Sequence, residues 1–325
     1  MLQRFLLLWL TLLSTVAYLW PSWADASRDP FALSADYLSQ LFAVTMFAVG
    51  CILPRDEVRQ LARRWPTVLG GTAIQYTLMP LLAYGFACAI DLTGDVFLGV
   101  MLVGCVPGAM ASNVLTLSAR GNVSYSVSLT TSATLLSPLV VPAMLYFAVD
   151  LENIDRFALM ERAFRLLILQ VVGPVVLGHL LSQRFTQLER FMHRCGPAIA
   201  NLSILWIIAV VVNGNHENLS KVGWPLAAAL LGINLLGFVG GYSGGSAMRV
   251  TDGMRRALTL EVGMQNAGLG SVLATQLFKD HNLVALPPAL YTFGCMLTGA
   301  IIAQYWSQRS PTESDVVTDS TDGEA

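Results

Sequence analysis

Residues 260–270 read Leu-Glu-Val-Gly-Met-Gln-Asn-Ala-Gly-Leu-Gly and lie inside a long apolar stretch of the chain. Glu261 is the only Asp or Glu within such a stretch, since the other carboxylates fall in short connections or between Thr312 and Ala325. A charge at membrane depth is costly and is retained where it faces a cavity, an ion or a partner. Glu261 is therefore a candidate functional group, and the glycines and amides beside it predict an interrupted helix.

The overall composition is typical of a membrane protein. Of the 325 residues, 54% are apolar and 12% are charged, and the mean hydropathy is +0.59; in soluble domains about a quarter of the residues are charged. A net charge of −2 and scattered basic residues argue against a nucleic-acid partner. An enzyme is not expected, because the four His residues form no His-Glu-x-x-His motif and the apolar stretches contain no paired aspartates.

Apolar stretches of about 20 residues, the length that crosses a bilayer, occur roughly ten times. They cover approximately 4–21, 38–53, 67–90, 96–119, 123–149, 164–182, 197–213, 225–247, 255–278 and 284–306. The short connections predict one membrane domain over residues 1–309, followed by a disordered acidic tail over residues 310–325. The first stretch also fits a cleavable signal peptide, but its long apolar run favours a retained helix.

The positions of Lys and Arg predict the orientation in the membrane. With a cytoplasmic N-terminus, 13 of the 19 basic residues lie on the inner side, among them Arg55, Arg59, Arg63 and Arg64 in one connection. The C-terminus is then cytoplasmic. The absence of an evident transit peptide favours a bacterial plasma membrane as the location of this multi-pass protein.

The ten segments divide into two groups of five, and an odd number per group places the second group in the opposite orientation. Such inverted repeats are typical of secondary transporters, whose sites lie at broken helices in matching positions. The fourth segment of each half carries this mark, since residues 104–113 read Gly-Cys-Val-Pro-Gly-Ala-Met-Ala-Ser-Asn and residues 263–270 read Gly-Met-Gln-Asn-Ala-Gly-Leu-Gly. Small residues also mediate close helix packing, but two matching interruptions favour two discontinuous helices.

A row of hydroxyl groups runs along the fifth segment. Ser126, Thr130, Thr134 and Ser137 recur at i, i+4, i+8 and i+11, which places them on one face of a helix. Hydroxyl and amide oxygens together with one carboxylate suit a small hard cation. Hydrogen bonds to the carbonyl groups of their own helix are the alternative role, and Thr134 and Ser137 fit it best.

Several motifs together resemble the bile acid:sodium symporter family over nearly the whole chain. They are Pro107-Gly108, Ala111-Ser112-Asn113, Arg120-Gly121-Asn122-Val123, Ser126-Val127-Ser128, Leu136-Ser137-Pro138-Leu139 and the run from Leu260 to Gly268. The resemblance implies an all-α polytopic fold of ten transmembrane helices in two inverted five-helix repeats. It also implies a panel domain (about 4–53 and 164–213) and a core domain (about 67–149 and 225–306) in which two discontinuous helices cross.

The same resemblance implies that two sodium ions are bound, with Glu261 common to both sites. The first ion would be held by Ser112, Asn113, Ser126, Thr130 and Glu261. The second would be held by Gln75, by the side chains of Glu261 and Gln265, and by the carbonyl groups of Val262 and Met264.

The substrate site implied by the resemblance lies between the two half-helix N-termini, at Met110, Ala111, Asn266 and Ala267. These N-termini favour an anion. Family members that handle bile acids or pantoate commonly have a Thr and a His-Asn pair where this chain has Met110 and Cys295-Met296.

The expected function is therefore sodium-coupled symport of a small monocarboxylate, such as a 2-oxo acid or pantoate, by a monomer. Two alternatives remain open. One is a bile-acid-type steroid anion as the solute, and the other is a proton-coupled organic anion carrier that uses Glu261.

Overall fold

A computed structural model of the protein describes residues 6–23, 28–56, 63–148, 155–219 and 223–309. The described residues form helices and no strand, apart from one isolated antiparallel bridge. The helices are α1 Leu6–Trp23, α2 Pro30–Ser34, α3 Leu38–Ile52, α4 Trp65–Ala89, α5 Gly94–Cys105, α6 Ala111–Ser118, α7 Val123–Ala148, α8 Arg156–Leu167, α9 Gly173–Arg184, α10 Thr186–Gly214, α11 His216–Leu219, α12 Trp224–Ala247, α13 Asp252–Gly263, α14 Ala267–Leu277 and α15 Leu286–Ser307. The predicted tail, residues 310–325, lies outside the described residues, as do Arg59 and Lys221.

Short elements join several of these helices. The 3₁₀ turn Ala35–Tyr37 connects α2 to α3, the π-helical turn Ile168–Val172 connects α8 to α9, and the 3₁₀ turn Asn282–Ala285 leads into α15. Seven helical stretches are long and apolar enough to cross a membrane, namely Leu6–Trp23, Pro30–Ile52, Val123–Ala148, Arg156–Arg184, Thr186–Gly214, Trp224–Ala247 and Asn282–Ser307. The other three predicted segments correspond to α4 and to the helix pairs α5–α6 and α13–α14.

Two helices begin well before their apolar stretch. Helix α8 begins at Arg156 because the Asp155 carboxylate accepts hydrogen bonds from the backbone N–H groups of Phe157 and Ala158, at 2.9 and 3.2 Å. This is the usual N-cap arrangement. Helix α10 begins at Thr186 and includes Pro197 in its interior. The membrane segments predicted to begin at residues 164 and 197 therefore cover only the apolar part of α8–α9 and α10, and the helices themselves begin earlier.

Two groups of helices pack closely within themselves, and contacts between α7 and α8 and at the broken helices join them. In one group α3 lies against α9 and α10, and α1 lies along α10; in the other, α12 packs against α13, α4 and α15. Glycine permits the closest approaches, since a Cβ atom at Gly241 on α12 would lie 2.8 Å from the Leu258 carbonyl oxygen on α13. Asn213 on α10 donates to the Ala17 carbonyl of α1 at 3.0 Å, so α1 is an integral part of the first group.

Candidate functional site

Two helices are interrupted, and the interruptions lie against each other. Helix α5 ends at Cys105 and α6 begins at Ala111, while α13 ends at Gly263 and α14 begins at Ala267. Both breaks fall in the stretches from which they were predicted. Because unpaired backbone groups are tolerated at membrane depth only when other protein groups satisfy them, the contacts between the two breaks decide whether this arrangement is stable.

The two interruptions satisfy much of each other's backbone. The Ala109 N–H donates to the Met264 carbonyl at 2.7 Å, and the Asn266 N–H donates to the Pro107 carbonyl at 2.8 Å. These hydrogen bonds flank an antiparallel bridge between Gly108 and Gln265. The crossing is therefore a short piece of paired, extended backbone inside a helical protein.

A polar network holds the end of α13. The Gly263 carbonyl accepts hydrogen bonds from the Asn234 amide at 2.7 Å and from the Tyr291 hydroxyl at 2.8 Å. Asn234 is itself oriented by the Thr298 hydroxyl, which donates to its side-chain oxygen at 2.6 Å. This network was not predicted from the sequence. A signal was available, because Asn234 is the only Asn or Gln in the apolar segment 225–247.

Glu261 lies at the centre of the first predicted sodium set. Its side chain is fully buried, and one carboxylate oxygen, Oε2, accepts hydrogen bonds from the Ser112 hydroxyl at 2.5 Å and the Thr130 hydroxyl at 2.8 Å. The Asn113 side-chain oxygen accepts hydrogen bonds from Ser126 at 2.7 Å and from Thr130 at 3.4 Å. Helices α6, α7 and α13 thus bring all five residues of the set into one cluster of oxygens.

The second carboxylate oxygen of Glu261, Oε1, is buried and has no hydrogen-bond partner among the described residues. It faces the helix crossing, since a Cβ atom added at Gly108 would collide with it. Buried carboxylate oxygens are normally satisfied, and hydroxyl, amide and carboxylate oxygens are the ligands that hard cations prefer. The donor atoms present at Glu261 therefore fit a sodium ion.

The second predicted set is also brought together by the crossing. The Gln75 amide on α4 donates to the Gln265 side-chain oxygen at 3.4 Å, and the Gln265 amide donates to the Val262 carbonyl at 2.7 Å. The Met264 carbonyl accepts the hydrogen bond from Ala109 described above. The side-chain oxygen of Gln75 is buried and has no partner within the described ranges, so in this set it and Oε1 of Glu261 are oxygens without a hydrogen bond that could bind a cation.

Other hydroxyl groups of α7 have different roles. Thr116 on α6 lies 3.2 Å from the Ser126 hydroxyl and extends the polar cluster, which the sequence pattern of α7 could not show. Ser137 donates to the Thr134 carbonyl at 2.8 Å, a local bond of the kind expected for it. The predicted row of hydroxyl groups on α7 therefore has two parts. Ser126 and Thr130 lie in the polar cluster around Glu261, whereas Ser137 bonds within its own helix.

A crevice of about 300 Å³ lies next to the polar cluster, between α3 and α10 on one side and the two breaks on the other. The four predicted substrate residues all line it: Met110, Ala111, Asn266 and Ala267. Thr45, Asn201 and Thr292 add polar groups, while Cys295 and Met296 make part of the wall apolar. Within the described residues, no charged side chain lines the crevice.

The crevice reaches Leu53 and Pro54, next to Arg55, so it opens toward the end of the molecule that carries this arginine. Asn266 also has a structural role, because its side-chain oxygen accepts a hydrogen bond from the Leu269 N–H at 3.1 Å and caps α14. Two helix N-termini, at Ala111 and Ala267, therefore meet at one cavity, which is the arrangement expected for an anion in secondary transporters.

The broken helices, the buried carboxylate and the adjoining crevice define a polytopic membrane transporter. The family model of the Sodium Bile acid symporter family matches residues 40–222. The chain is 32% identical to the sodium-dependent transporter YocS of Bacillus subtilis, over 93% of this chain and 90% of that protein. It is 30% identical to the chloroplastic probable sodium/metabolite cotransporter BASS1 of Arabidopsis thaliana, over 82% of this chain and 66% of the relative.

The chain therefore belongs to the Sodium Bile acid symporter family, a family of sodium-dependent transporters, and is not an enzyme. A wider likeness concerns the fold alone. The structure of the sodium proton antiporter MjNhaP1 from Methanocaldococcus jannaschii superposes with a TM-score of 0.61 at 11% identity, covering 92% of each chain.

Proposed function

We propose that this protein is a sodium-coupled symporter of a small organic monocarboxylate, such as a 2-oxo acid or pantoate, and that it works by alternating access. The observation that carries the proposal is the fully buried Glu261, whose Oε2 accepts hydrogen bonds from Ser112 and Thr130 while its Oε1 faces the helix crossing with no partner among the described residues. Membership of a sodium-dependent family supports the choice of ion. The crevice beside the cluster supports the choice of an anion as solute.

We assign one sodium ion to Ser112, Asn113, Ser126, Thr130 and Glu261, and a second to Gln75, Val262, Glu261, Met264 and Gln265. Two ions change the charge at the site from −1 to +1. A carboxylate in the adjoining crevice is then attracted to the loaded site and repelled by the empty one. This difference couples the two ligands, because bound sodium increases the affinity for the anion and the bound anion increases the affinity for sodium.

The solute class follows from the crevice wall. Its anchoring groups are the two helix N-termini and a few amides and hydroxyls, which suit one carboxylate. Met110, Cys295 and Met296 offer no hydrogen bonds comparable to those of a Thr or a His-Asn pair. A small monocarboxylate with a short apolar or hydroxylated tail fits this wall better than a steroid anion.

The architecture we propose has ten transmembrane segments in two inverted repeats, with α5–α6 and α13–α14 as the fourth segment of each. The panel domain would contain α1, α3, α8–α9 and α10, and the core domain α4 to α7 and α12 to α15. Rocking of one domain against the other would expose the site to either side. The protein would act as a monomer in a bacterial plasma membrane, with its C-terminus in the cytoplasm.

Uptake into proteoliposomes tests this function. Pantoate, pyruvate, longer 2-oxo acids and taurocholate are offered with an inward sodium gradient or an equal proton gradient. We expect sodium-driven uptake of a small monocarboxylate by the wild type and none by Glu261→Gln. Since a hydrogen bond to a charged group contributes roughly 1.5–3 kcal/mol, Thr130→Val should raise the half-saturating sodium concentration about tenfold or more.

Thr134→Val is the matched control, because Thr134 lies one turn from Thr130 on α7 and makes no described contact with Glu261. Its sodium dependence should equal that of the wild type. Sodium-driven uptake that survives in Glu261→Gln would overturn the proposal. Uptake driven only by protons would assign Glu261 to a proton-coupled carrier, and uptake of taurocholate alone would replace the monocarboxylate by a steroid anion.

A further inference from the structure

The structure contains a second groove, remote from the crevice, on the outer surface of the helix bundle. It has a volume of about 300 Å³ and lies between α12 and α15, where Phe238, Val239, Ile302 and Trp306 line it. Thr259 on α13 also contributes to its wall. Val239 is 58% exposed, and the neighbouring Ile301 is 60% exposed. In a membrane protein such side chains contact acyl chains, so the groove opens to the lipid.

Two arginine side chains stand at the edges of this groove. The Arg255 guanidinium lies over the Tyr242 ring at 5.2 Å, and the Arg309 guanidinium lies over the Tyr305 ring at 4.2 Å. Both tyrosines line the groove, one on each of its two long helices. Tyrosine and arginine together are typical of the level at which lipid headgroups lie.

The carboxylate beside Arg255 in the sequence, that of Asp252, is engaged by a third arginine. Asp252 forms an ion pair with Arg256 at 2.7 Å. Arg256 is buried and also donates to the carbonyl groups of Ala119 at 2.8 Å and Arg309 at 3.3 Å, which fixes the backbone at Arg309. Among the described residues, the hydrogen bonds that Arg255 donates from its side chain are long, at 3.4 and 3.5 Å, to the hydroxyl groups of Tyr242 and Ser246.

From these observations we infer that the groove binds one anionic phospholipid, with an acyl chain between α12 and α15 and its phosphate between Arg255 and Arg309. This lipid would be part of the membrane leaflet whose headgroups lie at the level of Arg255 and Arg309. Basic pockets between transmembrane helices bind anionic headgroups by this combination of charge and apolar surface. The inference depends on the membrane location of the chain and not on the identity of its solute.

The site has a consequence for transport, because Thr259 in the groove wall and Glu261 in the ion cluster are two residues apart on α13. A bound lipid therefore stabilises the half-helix that carries the carboxylate. Loss of the lipid is expected to lower the thermal stability of the protein and the rate of uptake together.

Native mass spectrometry of the full chain, purified in detergent with added phosphatidylglycerol or phosphatidylcholine, tests the inference. We expect the wild type to retain one molecule of phosphatidylglycerol and to retain phosphatidylcholine much less. Each arginine near a membrane surface changes anionic-lipid affinity by roughly fivefold. The double substitution Arg255→Gln and Arg309→Gln should therefore weaken retention about 25-fold.

Arg184→Gln with Arg194→Gln is the matched control, since both arginines are exposed and lie away from the groove. It should retain phosphatidylglycerol as the wild type does. Val239→Trp, which fills the groove without changing charge, should also reduce retention. Equal retention by the wild type and by the Arg255/Arg309 variant would overturn the inference. The inference would also be overturned if phosphatidylglycerol bound only after deletion of residues 310–325. Acidic side chains of that segment would then be the partners of Arg255 and Arg309.

Discussion

At the scale of single residues, Gly108 sets the geometry around the Glu261 carboxylate. A side chain at this position would collide with Oε1 of Glu261, the carboxylate oxygen that faces the helix crossing. In our proposal this oxygen is a ligand of the second sodium ion. Glycine is therefore required here for close approach and not for an unusual backbone angle. Overpacking of a well-packed site costs roughly 1–3 kcal/mol, and here the displaced group would be the ion ligand itself.

Gly108→Ala should accordingly raise the half-saturating sodium concentration about fivefold or more, while the protein remains folded. Sodium-dependent uptake in proteoliposomes measures this effect. Gly294→Ala is the control, because a Cβ atom at Gly294, within α15, would meet no atom within 4 Å. The control should be as active as the wild type and at least as stable, since alanine favours a helix over glycine. Normal sodium dependence in Gly108→Ala would contradict the assigned role of Oε1.

The individual site residues differ in how far the sequence could predict them. Glu261 was predictable because an unpaired carboxylate in an apolar stretch has few structural roles. Ser126 and Thr130 followed from helical spacing, and the structure places the Ser126 hydroxyl beside Asn113 and the Thr130 hydroxyl beside Glu261. Thr116 and Tyr291 were not predictable in this way, because they join the site from other helices and no periodicity links them to it.

At the scale of helices, the two interruptions were predictable and the groups that hold them were not. Proline, glycine and amides marked the breaks in both stretches. The clamp on the Gly263 carbonyl by Asn234 and Tyr291 depends on how α12 and α15 pack, which the local sequence does not encode. Helix starts such as Arg156 depend in the same way on a polar cap outside the apolar stretch.

This clamp leads to a prediction for Tyr291→Phe, which removes one hydrogen bond to the Gly263 carbonyl without changing the ring. Gly263 lies between Val262 and Met264, whose carbonyl groups we assign to sodium. A hydrogen bond contributes about 1 kcal/mol, so the half-saturating sodium concentration should rise about fivefold. Sodium-dependent uptake and the thermal unfolding temperature, measured on the same preparation, separate an effect on the site from a general loss of stability.

Tyr125→Phe is the matched control for this change. The Tyr125 hydroxyl also donates to a backbone carbonyl, that of Thr67, at 3.0 Å, and its side chain is equally buried. Both variants should lose similar stability, but only Tyr291→Phe should change the sodium dependence. If the two variants shifted sodium dependence equally, the clamp would be an ordinary packing contact and not a positioning device.

At the scale of the whole molecule, the crevice reaches Leu53 and Pro54 and so opens toward the end that bears Arg55. Hydropathy predicted the segments that surround it, but not this opening, which arises from the packing of α3 and α10 against the broken helices. If the protein works by alternating access, the opening is one of two states. Sodium and solute should then change how readily a probe reaches residues in the crevice.

Asn201 on α10 is a suitable reporter, since it lines the crevice opposite the broken helices. In a background without other reactive cysteines, Asn201→Cys should react with a membrane-impermeant maleimide added on the Arg55 side, and sodium plus transported solute should change its rate severalfold. Arg194→Cys, on an exposed part of the same helix, should react at a rate that neither ligand alters. An unchanged rate for Arg194→Cys shows that the ligands do not act on the probe itself. Equal rates for Asn201→Cys with and without ligands would then contradict the rocking of two domains around a fixed ion site.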